Sequence, residues 1–134
     1  GVQLEKGSTA TDFEYVDYSR QLQMCQRYYF LLASGINKQI SLATYYNSTY
    51  ITTSVSLPVT MRTTPSLVQT SGTDYYGVYT NGTLDTFNSF ASIADGSNQT
   101  VGLNVDTNVS GTSGAGARVK THNDSAYLAF SAEL

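Results

Sequence analysis

The stretch from Tyr18 to Leu32 reads YSRQLQMCQRYYFLL and combines two different patterns. Its first half has apolar or aromatic residues at the spacing of one helix face, and Asp17 just before it is a suitable N-cap. From Tyr28 onward the run YYFLL favours a strand, which ends before Gly35. The sequence therefore predicts a short helix that runs directly into the first long strand. The residues on the predicted helix face are Tyr18, Leu22, Cys25 and Tyr29.

Beyond Gly35, apolar residues alternate with polar or small ones in short segments that turn sequences separate. Asn81-Gly82 is the strongest two-residue hairpin signal, and Pro58 predicts a bulge or an edge position. Segment 108–116 is rich in Gly and Ser, which predicts an exposed, mobile loop. The predicted strands cover residues 40–46, 51–61 (as two segments), 75–80, 83–93, 101–105, 117–121 and 128–134, and residues 67–70 continue the chain after Pro65.

The composition agrees with an all-β domain. Only 13 % of the 134 residues are charged, and the polar remainder is mainly Thr, Ser, Asn and Gly, which favour pleated surfaces and turns. Strands that are apolar on one face must bury that face against another sheet. We therefore predict an all-β fold, a jelly-roll-like β-sandwich with one short N-terminal helix, over residues 17–134.

Several classes of protein are excluded at this stage. The net charge is −3 and the seven Lys and Arg residues are scattered, so phosphate-based binding of nucleic acid is not expected. The longest apolar run is too short to cross a bilayer, so no membrane insertion is expected. The single cysteine, Cys25, excludes an internal disulfide, and we predict it to be a small buried residue of the helix.

Catalytic and metal sites are not predicted. A glycosidase needs two carboxylates, and candidates are Asp12, Glu14, Asp17 and Asp74, but the first three lie where a helix start favours acids anyway. No GxSxG or HExxH motif is present. Segments 95–98 and 106–108 offer oxygen ligands that calcium accepts, yet the same sequences favour turns. We predict no enzyme, no metal and no cofactor.

Tyrosine is the informative side chain, because the sequence has eleven Tyr and no Trp. Several of them lie at predicted strand ends beside turns rich in Asn, Ser and Thr. A sugar ring needs a flat apolar platform with amide and hydroxyl groups at its edge, and these segments offer both. A tyrosine-rich sandwich surface or a subunit contact is the alternative. The predicted ligand-binding residues are Tyr45, Tyr46, Tyr50, Tyr75, Tyr76, Tyr79 and Asn81.

Four segments carry a resemblance to a known family. The chain resembles the C-terminal domains of tail-fibre and receptor-binding proteins of tailed bacteriophages. In the connector of these proteins a Pro usually stands where this chain has Asp12. The segments that carry the resemblance are VQLEKGSTATDFE at 2–14, CQRYY at 25–29, LPVTMRTTP at 57–65, which is similar to a strand of that family, and AYLAFSAEL at 126–134.

The resemblance implies a function as well as a fold. Residues 1–16 would connect a preceding fibre segment to the domain, and the domain would sit at the fibre tip of the virion as a homotrimer. It would bind a host-cell surface glycan without cleaving it. One alternative is a structural cap that drives trimerisation or folding, with the helix and CQRYY as the inter-subunit core. Another is a depolymerase that shortens the host polysaccharide.

Overall fold

The computed structural model describes Lys6 and residues 15–133. The predicted connector, 1–16, therefore lies almost entirely outside the described residues, as does Leu134. One helix precedes ten strands within the described part of the chain. Their bounds are α1 Tyr18–Gln26, β1 Tyr29–Ser34, β2 Gln39–Asn47, β3 Tyr50–Ser56, β4 Ser66–Gln69, β5 Tyr76–Thr80, β6 Thr83–Phe87, β7 Ser92–Ala94, β8 Thr100–Val105, β9 Gly116–Thr121 and β10 Tyr127–Ser131.

The strands form two antiparallel sheets. The smaller sheet has the order β1-β10-β4, and the larger has the order β6-β5-β9-β2-β3-β8-β7. The predicted all-β sandwich with one short N-terminal helix is confirmed. It has ten described strands, where a jelly roll has eight. The Asn81-Gly82 hairpin is confirmed too, with positive φ at both residues between β5 and β6.

An aromatic cluster lies in the core between the sheets. Tyr76, Phe87 and Phe90 are at most 2 % exposed, and their ring centroids lie 5.1 to 5.5 Å apart. The Tyr76 hydroxyl shares its proton between the carbonyls of Thr70 at 2.8 Å and Tyr127 at 3.0 Å, which links the larger sheet to the smaller one. Burial raises the pKa of Tyr76 to about 12, so this hydroxyl stays protonated and keeps donating.

The helix forms as predicted, but it does not bury the Cys25 face that the sequence predicted to be buried. Asp17 caps it by accepting a hydrogen bond from the Ser19 N–H at 2.9 Å, and hydrogen bonds from the Ser19 hydroxyl and N–H lower the Asp17 pKa. No residue of α1 is buried. The prediction of a buried Cys25 is wrong: its side chain is exposed, because neither sheet of the described residues covers the helix. Tyr28 and Tyr29 are also more than a third exposed.

The second of the two strand segments predicted within 51–61 does not form. Residues 57–65 are an irregular segment instead. Its N–H groups bond to loops rather than to a neighbouring strand, since Leu57 donates to the Gln99 carbonyl at 2.9 Å and Met61 to the Asn98 carbonyl at 2.8 Å. Pro58, which has no N–H, stands between them. Met61 is nevertheless 1 % exposed, so the segment contributes to the core without being a strand.

The predicted strand 83–93 is two strands at opposite edges of the larger sheet. β6 ends at Phe87, and β7 begins at Ser92. Gln69 holds the connection in place: its amide donates to the Phe90 carbonyl at 2.8 Å, and its amide oxygen accepts from the Phe90 N–H at 2.9 Å. A local sequence pattern cannot show this crossing, because Gln69 is 21 residues away.

The Gly- and Ser-rich loop is mostly exposed, as predicted, and it is also attached to the core and to neighbouring segments. Val109 is 5 % exposed and belongs to the core cluster. The Ser110 N–H donates to the Asp85 carboxylate at 2.7 Å, and the Gly111 and Gly114 N–H groups donate to the carbonyls of Ser48 and Tyr45. The loop is therefore anchored along its length.

Candidate functional site

Two β-bulges in β2 decide which of its side chains reach the surface. In the pairing with β9 the register shifts between Gln39 and Ser41, and in the pairing with β3 it shifts between Tyr45 and Asn47. A bulge inserts one extra residue and reverses the alternation that follows it. Ile40 is buried, as alternation requires, but after the first bulge Tyr45 points into the core and Tyr46 points outward.

The outer face of the larger sheet, on the side away from β1, β4 and β10, consequently carries unusual side chains. Leu42 is 76 % exposed and Tyr46 is 72 % exposed, both in the middle of the sheet rather than at its edge. Thr44 and Thr52 pair across β2 and β3 between them. We call this surface the outer face. Its members on the central strands are Leu42, Thr44, Tyr46, Thr52, Ser54, Gly102 and Asn104.

A cleft of about 440 Å³ lies at one side of the outer face, and we call it the tyrosine cleft. The Tyr46 and Tyr50 rings meet edge to face there, with their centroids 6.0 Å apart and an interplanar angle of 72°. This volume is within the range of small-molecule sites. The residues that line the cleft are Tyr46, Asn47, Tyr50, Thr52, Ala94, Asp95 and Asn104.

Three polar side chains complete the tyrosine cleft. Asn47 begins the turn between β2 and β3, and its side-chain oxygen accepts from the Thr49 N–H at 2.9 Å, which fixes the side chain. Asn104 is only 8 % exposed, so its amide lies at the base of the cleft between β3 and β7. Asp95 follows β7 with a φ of 48° and is exposed at the rim.

A second recess of about 450 Å³ adjoins the cleft, with which it shares Thr52, Ala94 and Asp95. It extends across the sheet to Leu42 and Gly102. Rings, hydroxyls, an amide and a carboxylate thus surround one continuous depression, which suits a sugar ring. Among the described residues that line it, Asp95 supplies the single carboxylate, whereas glycoside hydrolysis uses a pair.

The predicted site residues divide into several groups. Tyr46 and Tyr50 lie together in the tyrosine cleft. The surface roles predicted for Tyr45 and Tyr76 are wrong, because both side chains are at most 1 % exposed and belong to the core. Burial raises the pKa of Tyr45 as it does that of Tyr76. Tyr75 is half-buried against the core cluster and lies outside the cleft.

Tyr79 and Asn81 lie elsewhere. Tyr79 is on the outer face at β5, where the Arg118 guanidinium carbon stands 4.8 Å from its ring centroid and the Lys120 nitrogen 4.6 Å from it. Asn81 is exposed in the hairpin turn and lines a small pocket of about 230 Å³ that Asp85 and Thr83 also line. The seven predicted residues therefore do not form one site.

Sequence reasoning missed several residues of the outer face. Leu42, Asn104, Arg118 and Lys120 were not among the predicted site residues. Alternation within β8 and β9 places the side chains of Asn104, Arg118 and Lys120 on the sheet face away from Val105 and Val119, so the sequence alone indicates which face they occupy. The sequence alone does not indicate that Leu42 is exposed, because its exposure depends on the first bulge.

The described residues contain no group of three or more His, Cys, Asp or Glu side chains placed to hold a metal ion. They also contain no helix with the length and apolar character that crossing a membrane requires. Comparison with known proteins gave no match among family models, curated proteins or solved structures.

Proposed function

We propose that this domain is the non-enzymatic receptor-binding tip of a bacteriophage tail fibre, which attaches the virion to a host-cell surface glycan through the tyrosine cleft. The observation that carries the proposal is the edge-to-face pair of the exposed Tyr46 and the half-buried Tyr50, with Asn47, Asn104 and Asp95 around it. The resemblance of CQRYY and of the closing segment to tail-fibre domains supplies the biological setting. Among the described residues, Asp95 is the single carboxylate that lines the cleft and the recess, which favours binding over cleavage.

Alanine substitutions in the cleft test this proposal. Tyr46→Ala and Tyr50→Ala remove the platform, and since 1.4 kcal/mol corresponds to a factor of ten, each is expected to weaken glycan binding by about tenfold. The measurement is binding of the domain to an array of bacterial surface polysaccharides and to whole cells. Tyr15→Ala is the matched control, because Tyr15 is 89 % exposed and outside the sheet.

Two results would contradict the proposal. Binding that is unchanged in both cleft variants would remove the tyrosine cleft as the site. Shortened polysaccharide chains after incubation with the domain would replace the binding function by that of a depolymerase. Loss of binding in the cleft variants, with full binding in Tyr15→Ala and no shortened chains, supports a receptor-binding tip.

A specific observation favours contact between copies of the chain, for which the resemblance implies a homotrimer, and with it the alternative role of a trimerisation or folding cap. Helix α1 has nine residues, too few for an isolated helix to be stable in water, and none of them is buried. Apolar side chains on and after it remain exposed, and such a patch marks an interaction surface. They are Tyr18, Leu22, Met24, Tyr28, Tyr29 and Leu31. A further copy of the chain would cover them.

The trimer is tested by light scattering. We expect a mass three times that of the 14.5 kDa chain at micromolar concentration. Leu22→Asp and Leu31→Asp place a charge on side chains that are 42 % and 46 % exposed, and we expect both variants to be monomeric but folded. Leu42→Asp on the outer face is the control and is expected to remain trimeric.

Dissociation by Leu42→Asp, in place of the two leucine variants near the helix, would put the outer face in the subunit contact and contradict the proposed glycan site.

Deletion of the domain from the full fibre separates the two candidate functions, a receptor-binding tip and a structural cap. A trimeric fibre that no longer adsorbs to cells indicates a receptor-binding tip, whereas loss of the trimer indicates a cap.

A further inference from the structure

Positive charge is concentrated on the outer face at the end opposite Asp95. Arg118 and Lys120 project from β9 onto the same Tyr79 ring, at 4.8 and 4.6 Å from its centroid. The Lys120 ammonium also donates to the Asn37 side-chain oxygen. Two of the seven Lys and Arg residues thus share one aromatic ring in a chain with a net charge of −3.

The shared ring holds these cations in place. A cation over the face of a tyrosine ring is attracted by the ring quadrupole while its outward side remains free to bind an anion. Side chains that are already ordered lose less conformational entropy when a ligand arrives. Arg118 in addition offers a planar set of N–H donors that matches an oxyacid group. The arrangement is therefore prepared for an anion.

Strand pairing connects this cationic end to the recess in a straight cross-strand row. Tyr79 pairs with Arg118, and Arg118 pairs with Leu42, which lines the recess. On the far side Gly102 pairs with Ala94, and both line the recess too. The row runs from β5 to β7 over five strand spacings of about 4.8 Å each, or about 24 Å in total. An extended chain of sugars can therefore contact both ends at once.

The two ends of the row differ in charge. Asp95 is at the β7 end, and Arg118 with Lys120 is near the β5 end. Their separation exceeds the screening length of about 8 Å at physiological salt, so each end acts on its own part of a ligand. An anion is repelled beside Asp95 and attracted beside Arg118. The face therefore favours one direction of an acidic chain over the other.

We propose that the outer face recognises an acidic glycan, with its anionic group at Arg118 and Lys120 and a neighbouring uncharged ring in the tyrosine cleft. This inference rests on the proposed glycan-binding function and names the class of glycan. The anionic group is an oxyacid, which a uronic acid supplies as a carboxylate and a phosphorylated sugar as a phosphate. Both present oxygen acceptors to the same donors.

An array with paired ligands tests the inference. Each carboxylated bacterial polysaccharide is printed beside its carboxyl-reduced form, and each phosphorylated one beside its dephosphorylated form. We expect native acidic members to bind about tenfold or more tightly than their neutralised partners, and binding to weaken as salt is raised. Which pair shows the difference identifies carboxylate or phosphate as the source of the charge.

Variants assign the effect to the cationic end. Arg118→Gln combined with Lys120→Gln is expected to bind the native acidic glycan as weakly as the wild type binds the neutralised form. Arg20→Gln, on the exposed helix, removes one positive charge away from the outer face and is the control, which is expected to bind like the wild type. Circular dichroism of each variant checks that the fold is retained.

The failures of the two proposals are distinguishable. Equal binding to native and neutralised glycans, with binding still lost in Tyr46→Ala, would overturn the acidic class and leave the glycan-binding tip intact. Unchanged binding of acidic glycan by the double Gln variant would also overturn the inference. Binding to no member of the array would contradict both proposals together.

Discussion

Replacement of Phe87 by alanine is expected to lower the free energy of unfolding by about 3–5 kcal/mol, the largest effect that we predict. Phe87 is fully buried and stacks on Tyr76 at 5.5 Å, and its ring meets that of Phe90 edge to face at 5.2 Å. Truncation removes both contacts and leaves a cavity that the surrounding sheets cannot fill, because interiors are close-packed. Urea denaturation followed by circular dichroism measures the change.

Leu42→Ala, at an exposed position, is the control for the loss of stability in Phe87→Ala. Leu42→Ala removes a side chain that is 76 % exposed, so its free energy of unfolding is expected to remain within about 0.5 kcal/mol of the wild type. A typical domain is stable by only about 5–15 kcal/mol, so a loss of about 3–5 kcal/mol is a large fraction of the total. A loss below about 1 kcal/mol in Phe87→Ala would show that the aromatic cluster is not closely packed in the core.

The second large effect is expected for Gly102→Ala. A Cβ atom built at Gly102 would lie 2.3 Å from the Ala94 carbonyl oxygen, which is a backbone atom and cannot rotate away. Strand β7 must therefore move off β8, at a cost of about 1–3 kcal/mol. Ala94 lines both the recess and the tyrosine cleft, so glycan binding is expected to fall together with stability.

Gly116→Ala is the matched control in the same sheet. A Cβ atom there has nothing within 4 Å, and Gly116 lacks a positive φ. Since Ala loses less backbone freedom on folding than Gly does, this variant is expected to gain about 0.5–1 kcal/mol. Urea denaturation of both variants checks the pair. Equal stability of Gly102→Ala and Gly116→Ala would mean that β7 does not pair with β8 in solution.

Local patterns in the sequence predicted much of the secondary structure. Asp17 before the helix, Asn81-Gly82 in the hairpin and the alternation through Val101, Leu103 and Val105 each specify a structure within a few residues. The predictions failed where a hydrogen-bond partner far along the chain decides the local structure. Gln69 forms hydrogen bonds with the backbone of Phe90, and the irregular segment at 57–65 forms hydrogen bonds with the loop at 98–99.

In the candidate site, one strand contains both a correct and an incorrect prediction of surface exposure. Tyr45 and Tyr46 are adjacent and chemically identical, and sequence reasoning assigned both to ligand binding. The structure buries Tyr45 and exposes Tyr46, because a bulge near Ile40 sets the parity of the rest of β2. A bulge is a mismatch between two strands, so it is visible only when the strand from 116 to 121 has paired with β2.

The sequence by itself determined an all-β domain with one short N-terminal helix, since composition, turn residues and period-two alternation are properties of neighbouring residues. Only the tertiary structure decided which tyrosines reach the surface. It also decided that Tyr79, Arg118 and Leu42 form one cross-strand row and that no residue of helix α1 is buried by the described part of the chain. The physical reason is that strand order, register and burial arise from contacts between residues far apart in the sequence, which a local pattern does not encode.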